Sequence, residues 1–156
     1  MNTQQSDTIW EDRPPTRPLT VDECWERIMK APYGRIAARA ADEIDIFPIN
    51  HAVDDGCVVF RTAPGTKLIE LTIHTSIVFQ IDGFDEHEAF SVIVKGDAEE
   101  VSSGAQIDRL DALGLRSWAP EEKDRWVKIT PTTIAGRIFT LDGSTGARSQ
   151  GATPPL

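Results

Sequence analysis

The stretch Phe60-Arg61-Thr62-Ala63-Pro64-Gly65-Thr66-Lys67-Leu68 changes character twice. The apolar run Cys57–Thr62 that leads into it reads as a strand. Pro64-Gly65 reads as a tight turn. Thr66 then opens a short helix, with Leu68, Leu71 and Thr72 on its buried side. A helix start leaves backbone N–H groups without intrahelical partners, and those groups attract anions. Thr66 adds a hydroxyl donor, Arg61 and Lys67 add positive charge, and Gly65 lets the backbone approach a ligand closely. These residues suit a phosphate monoester. They also read as solvated surface charges beside an ordinary turn, and both readings stand on the residues alone.

Upstream of that strand, Asp54-Asp55-Gly56 has hairpin-turn chemistry. Before the turn, Ile44–Val53 is a strand pattern in which Pro48 points to a sheet edge or a bulge. Gly34–Arg39 is the strand before that. Thr20 and Glu23 have the spacing of a capping box, and Leu19 and Cys24 that of a hydrophobic staple. They open a helix with Cys24 and Ile28, and with Trp25 and Met29 beside them, on its apolar face; Pro32 stops it.

Downstream, Ser76–Asp82 is a strand, Gly83–Glu88 a polar turn, and Ala89–Val101 a long strand with alternating polarity. Ser103 and Gln106 have capping-box spacing before a helix whose core face is Ile107, Leu110 and Leu113, ended by Gly114. A last strand runs from Arg125 to Leu141 with a break near Pro131. One early helix, about six strands and two short helices indicate a mainly β fold, a small closed or split barrel with helical plugs.

The chain has 156 residues, 40% hydrophobic and 26% charged, which suits one domain with its own core. Residues 1–18 read as a flexible N-terminal arm, 19–141 as the folded domain and 142–156 as a flexible tail. The formal net charge of -9 disfavours nucleic acid and anionic membrane surfaces as partners. No run approaches the length of a membrane span, and Met1 to Asp12 has no apolar signal core, so the expected location is the cytoplasm. Cys24 and Cys57 read as reduced, buried small hydrophobes.

The pieces Asp45–Asn50, Asp54-Asp55-Gly56, Val59–Leu68, Val78–Gly83 and Phe90–Gly96, in this order and spacing, resemble the pyridoxamine 5'-phosphate oxidase-like FMN-binding family over roughly residues 19–140. The resemblance implies an FMN-binding type of split β-barrel that works as a homodimer with flavin at the interface. It places the flavin phosphate on Arg61, Thr66 and Lys67. The ring edge falls near Pro48, Ile49 and Asn50, and Phe60, Thr62 and Ala63 line the route between ring and phosphate. Gln80 and Ser91 lie on strands that approach the flavin. Ser117-Trp118-Ala119-Pro120 resembles a family loop through which Trp118 reaches the ring from the partner subunit. The C-terminal Trp strand and Arg-His-Asp-Arg-like stretch of a true pyridoxamine 5'-phosphate oxidase have no counterpart in Asp142–Arg148, so the resemblance does not extend to the vitamin substrate.

The function this implies is that of a flavin-dependent oxidoreductase acting on a small molecule. The alternatives are a deazaflavin-dependent reductase of the same fold, or a non-catalytic flavin- or haem-binding protein. His51, His74 and His87 lack metal-ligand spacing, and His51 reads as a strand residue with an ordinary partner or as a ligand contact. Asp82, Asp85, Glu86 and Glu88 read as a solvated hairpin, and Glu99-Glu100 and Glu121-Glu122 as charged faces. No catalytic acid–base constellation stands out, and a flavin enzyme does not need one because the cofactor carries the hydride.

Overall fold

The computed structural model describes residues 16–72, 76–116 and 125–141, with the side chains of Ala40, Leu71 and Thr72 excepted. Residues 1–15, His74, the Ser117–Pro120 segment with Trp118, Glu121-Glu122 and residues 142–156 lie outside the described residues.

The elements in chain order are β1 (Thr16–Pro18), α1 (Val21–Lys30), β2 (Gly34–Ala40), β3 (Glu43–Ile49), β4 (His51–Asp54) and β5 (Cys57–Thr62). After these come α2 (Lys67–Thr72), β6 (Ser76–Phe84), β7 (Glu88–Glu100), α3 (Gly104–Asp111) and β8 (Arg125–Thr140). All strand pairs are antiparallel, in the order β3-β2-β6-β7-β8-β5-β4, with β1 added to β8. The two ends of that order, β3 and β4, are consecutive in the chain and joined at Asn50. The sheet must therefore curl back on itself, which makes the mainly β split barrel.

Several sequence-based expectations are met at residue level. Asp54 pairs with Cys57, so Asp55 and Gly56 form a two-residue turn, both with positive φ (48° and 69°). Thr20 and Glu23 form the reciprocal capping box of α1. Cys24 and Ile28 bury their side chains against the barrel. Complete burial of one such isoleucine contributes roughly 1.5–3 kcal/mol. Helix α1 lies close over Gly136 of β8, where a Cβ would come within 2.9 Å of both Cys24 Sγ and Leu19 Cδ1.

Other expectations are corrected. The strand expected over residues 44–53 is two strands, split at Asn50 rather than at Pro48. Pro48 does sit at a sheet edge, as its residue type indicates: among the described residues β3 pairs with β2 alone, and the missing N–H costs nothing there. Gly83 and Phe84, expected in a turn, continue β6 opposite Phe90 and Ala89. The break near Pro131 is a bulge in an unbroken β8. Lys95 pairs with Thr133 and Gly96 with Pro131, which leaves Thr132 as the extra residue, its hydroxyl donating to Lys95 O at 3.1 Å. Thr16–Pro18, expected within the arm, pairs with Arg137–Phe139. Met29 and Leu113, expected on core faces, are exposed, while among the described side chains of α2 Ile69 is buried and Leu68 packs half-buried against the core.

The interior holds Ile36, Phe60, Phe79, Val92, Val94, Val127 and Ile129 among its wholly buried side chains. A second cluster on the outer side of β5 and β8, Val59, Val101, Leu110 and Trp126, is covered by α3. Two polar clamps fix α3 there: Trp126 Nε1 donates to Asp111 Oδ1 at 2.8 Å, and Arg109 grips the Asp54 carboxylate at 3.2 and 2.7 Å.

His51 takes the ordinary-partner reading. It is buried, its ring meets Phe79 edge-on at 4.9 Å, and its Nε2 donates to Ile28 O at 2.8 Å. That carbonyl is in the last turn of α1 and has no intrahelical donor, so His51 caps the helix from inside the barrel. Burial lowers the His51 pKa, against a smaller upward pull from the Ile28 carbonyl. Protonation would also create an N–H at Nδ1, a buried atom with no partner. The unfolded chain therefore takes up this proton at a higher pH than the folded one. Stability is fully present above the ordinary histidine value of about 6.5 and is lost as pH falls below it. Thermal melts from pH 7.5 to 5 should show a steeper acid loss for the wild type than for His51→Gln, whose amide also donates but does not titrate. Parallel curves would contradict this.

Candidate functional site

The Arg61–Lys67 turn is built as a strand-to-helix junction. In β5 the side chains alternate, with Val58, Phe60 and Thr62 inward and Val59 and Arg61 outward. Phe60 is wholly buried in the core, so its side chain does not line a route along the surface; this corrects the expectation for that residue. Arg61 pairs in register with Trp126, and its guanidinium lies 5.3 Å over the indole ring. Its Nε is buried and has no hydrogen-bond partner. A buried charged donor left unpaired is costly unless something external supplies an acceptor.

Thr66 acts chiefly within the turn. Its hydroxyl donates to Ala63 O at 2.9 Å, lies 2.9 Å from the Thr62 hydroxyl, and accepts from Ile69 N–H at 3.4 Å. These bonds tie the Thr66 hydroxyl into the turn. Gly65 has φ +70° with open space where a Cβ would stand, so the backbone conformation of the turn calls for glycine here. Gly65→Ala is expected to lower stability by about 1–2 kcal/mol, the cost of a left-handed L-residue. A denaturant midpoint equal to wild type would show that the turn relaxes freely.

Lys67 lies at the opposite end of the turn. Its Nζ is 3.0 Å from Asp45 Oδ2 and 3.8 Å from Glu43 Oε2 of β3, and its side chain is 58% exposed. The hydrogen bond to Asp45, then the charges of Asp45 and Glu43, raise its pKa. Such exposed pairs contribute little to stability and exchange readily for another anion.

The residues expected around the ring form a second group. Arg35 of β2 stands opposite Pro48 on one side and Gln80 on the other. Pro48 is exposed, Ile49 buried and Asn50 half-buried. Gln80 donates to Asp82 at 3.0 Å, and Asp82 also lies 3.6 Å from Arg35. Ser91 is opposite Asp82 in the β6–β7 pair. From Asp45, beside Lys67, to Pro48 is three residues along β3, about 10 Å at about 3.3 Å per residue. Arg35, Asp45 and Trp126 organise these groups but were not singled out from the sequence. Arg35 had a signal in its position on the strand before the Pro48 strand; Trp126 had none beyond its residue type.

Among the described residues, no cluster of three or more His, Cys, Asp or Glu side chains has the geometry to hold a metal. Both cysteines are free thiols, with Cys24 buried and Cys57 half-buried. Asp85, in the acidic hairpin, accepts from the backbone N–H groups of His87 and Glu88 at 2.7 and 2.8 Å. Among the described residues, no helix is long and apolar enough to cross a membrane.

The strand order and the closure of the sheet define the class as a mainly β split barrel, with Arg61 at its strand-to-helix turn. Residues 20–138 match the family described as pyridoxamine 5'-phosphate oxidase, and the chain belongs to that family. A Corynebacterium glutamicum crystal structure, provisionally described as a pyridoxamine 5'-phosphate oxidase, is 38% identical with a TM-score of 0.74, over 81% of this chain and all of that one. An FAD-binding protein from Mycobacterium smegmatis is 35% identical with a TM-score of 0.68, over 80% of this chain and 98% of its own. The uncharacterised Mycobacterium tuberculosis protein Rv0080 is 30% identical over 135 residues, 81% of this chain and 88% of that protein.

Proposed function

We propose that this protein binds a phosphate-bearing flavin, FMN in the first reading, and works as a flavin-dependent oxidoreductase on a small molecule. The observation that carries the proposal is the Arg61 guanidinium, whose buried Nε has no partner of its own. A phosphate oxygen is an acceptor of the right charge for it. Lys67, already drawn to carboxylate oxygens, supplies a second cation.

When bound, the flavin supplies hydride and electron transfer. The chain's own part is to bind and orient. Arg61, whose guanidinium lies 5.3 Å over the Trp126 ring, fixes the phosphate end, while Pro48 and Asn50 bound the ring end. His51 commits its Nε2 to Ile28 O, and so to capping α1. FAD is the second reading, favoured by the Mycobacterium smegmatis relative.

We also propose a homodimer. Ile46 of β3, Ala37 of β2 and Val78 of β6 are direct register neighbours on the outer face of the barrel, with Pro48 beside Ile46 and Ile93 across from Gln80. Ile44 and Ile46 are 69% and 66% exposed. An apolar stripe of this kind next to the ring end suits a second copy that closes the site.

Titrating FMN, FAD and riboflavin into flavin-free protein tests the proposal. FMN is expected to bind at least tenfold tighter than riboflavin, about 1.4 kcal/mol, because only FMN offers charge-assisted hydrogen bonds to Arg61. Equal affinities would remove the phosphate site, and an FAD affinity far above that for FMN would favour the second reading.

A further inference from the structure

A cleft of about 330 Å3 lies between the C-terminal end of α1 and the β6–β7 hairpin, apart from the Arg61 turn. Three aromatic rings line it: Tyr33, Phe84 and Phe90. Phe84 is 85% exposed, a large apolar side chain held open to solvent at the hairpin end.

Two guanidiniums complete the wall, each braced by an acid and a ring. Arg27 pairs with Glu88 at 2.7 Å and lies 4.5 Å over Phe90. Arg35 pairs with Asp82 at 3.6 Å and lies 5.7 Å from the Tyr33 ring. Braced in this way, they offer flat faces for stacking rather than free charge. The third acid, Asp85, is committed to two backbone N–H groups. Lys30 is left as the charged side chain of the cleft wall with no ion-pair or hydrogen-bond partner among the described residues. The volume falls in the range of small-molecule sites, and apolar rings with a few polar groups are the usual lining of such sites.

We infer that this cleft binds a flat aromatic or heteroaromatic anion, its plane among Tyr33, Phe84 and the guanidiniums and its negative group toward Lys30. Arg35 stands opposite Pro48 and Gln80, so the cleft adjoins the ring end of the proposed flavin site. That the bound anion is the substrate rests on the flavin reading; that the cleft binds it does not.

The probes are 2-naphthoate, 2-naphthylmethylammonium and cyclohexanecarboxylate, titrated by calorimetry and amide chemical shifts into the full chain, flavin-free and FMN-loaded. The expected result is millimolar or tighter binding of 2-naphthoate, with shifts centred on Tyr33 and Phe84. The other two probes should bind at least about fivefold more weakly. Phe84→Ala should weaken 2-naphthoate about fivefold. Lys30→Glu should erase its advantage over the ammonium probe. Both side chains are exposed, so both variants should fold. In FMN-loaded protein, 2-naphthoate should perturb the visible flavin bands. The inference is overturned if 2-naphthoate does not saturate by about 10 mM, if cyclohexanecarboxylate binds equally well, or if neither substitution changes affinity. If 2-naphthoate binds but FMN does not, the flavin reading fails and the cleft stands. If FMN binds and 2-naphthoate does not, the cleft fails alone.

Discussion

Arg61→Met is expected to weaken FMN binding by about 1.5–3 kcal/mol while leaving riboflavin affinity nearly unchanged, the range for a hydrogen bond to a charged group. Methionine keeps an unbranched stem over Trp126, so the second cluster under α3 stays packed and the loss reports the guanidinium. Lys67→Ala should cost less. Its ammonium is 58% exposed and already paired with Asp45, so a phosphate replaces one anionic partner by another. Fluorescence titration of FMN and riboflavin against both variants settles the order. If Arg61→Met retains wild-type FMN affinity, or if Lys67→Ala is the more damaging change, the phosphate is not where Arg61 would put it.

The difference between these two residues shows how far the sequence is legible. Charge, turn chemistry and strand alternation place Arg61, Thr66 and Lys67 around one turn, and the structure brings them there. Sequence does not show which charges are already satisfied, because that depends on distant strands: Asp45 on β3 for Lys67, and Trp126 on β8 for Arg61. The Thr66 hydroxyl turns back on Ala63 O, a bond set by the folded turn rather than by residue type. Phe60 faces the core, one step of strand alternation from Arg61. The helix caps and the Asp55-Gly56 turn were legible because they are decided within four residues. The closure of the sheet at Asn50 was not, because β3 and β4 become ends of the sheet only through pairings made elsewhere. The cleft beside α1 is built from two segments far apart in the chain, Arg27–Arg35 and Asp82–Phe90, so no local pattern announces it.

Ile46→Glu is expected to convert a dimer into monomers at low micromolar concentration. In a two-fold symmetric interface each residue occurs twice, so one substitution is counted twice. Losing the burial of two isoleucine side chains costs at least about 3 kcal/mol, more than a hundredfold in the dimer dissociation constant, before any penalty for burying carboxylates. Ile46 stands at the β3 end of the apolar row that continues through its register neighbour Ala37 to Val78. Leu113→Glu is the control, an exposed leucine of the α3 C-terminal turn, away from the stripe, and should change nothing. If the flavin ring contacts both subunits, FMN binds only the assembled state and should push the Ile46→Glu equilibrium back toward dimer, with an apparent FMN affinity that rises with protein concentration. Sedimentation velocity on wild type, Ile46→Glu and Leu113→Glu, each flavin-free and FMN-loaded, reads all of these at once. A wild-type monomer that binds FMN tightly, or an Ile46→Glu protein still dimeric with unchanged FMN affinity, would remove the second copy from the site and leave the exposed stripe to some other partner.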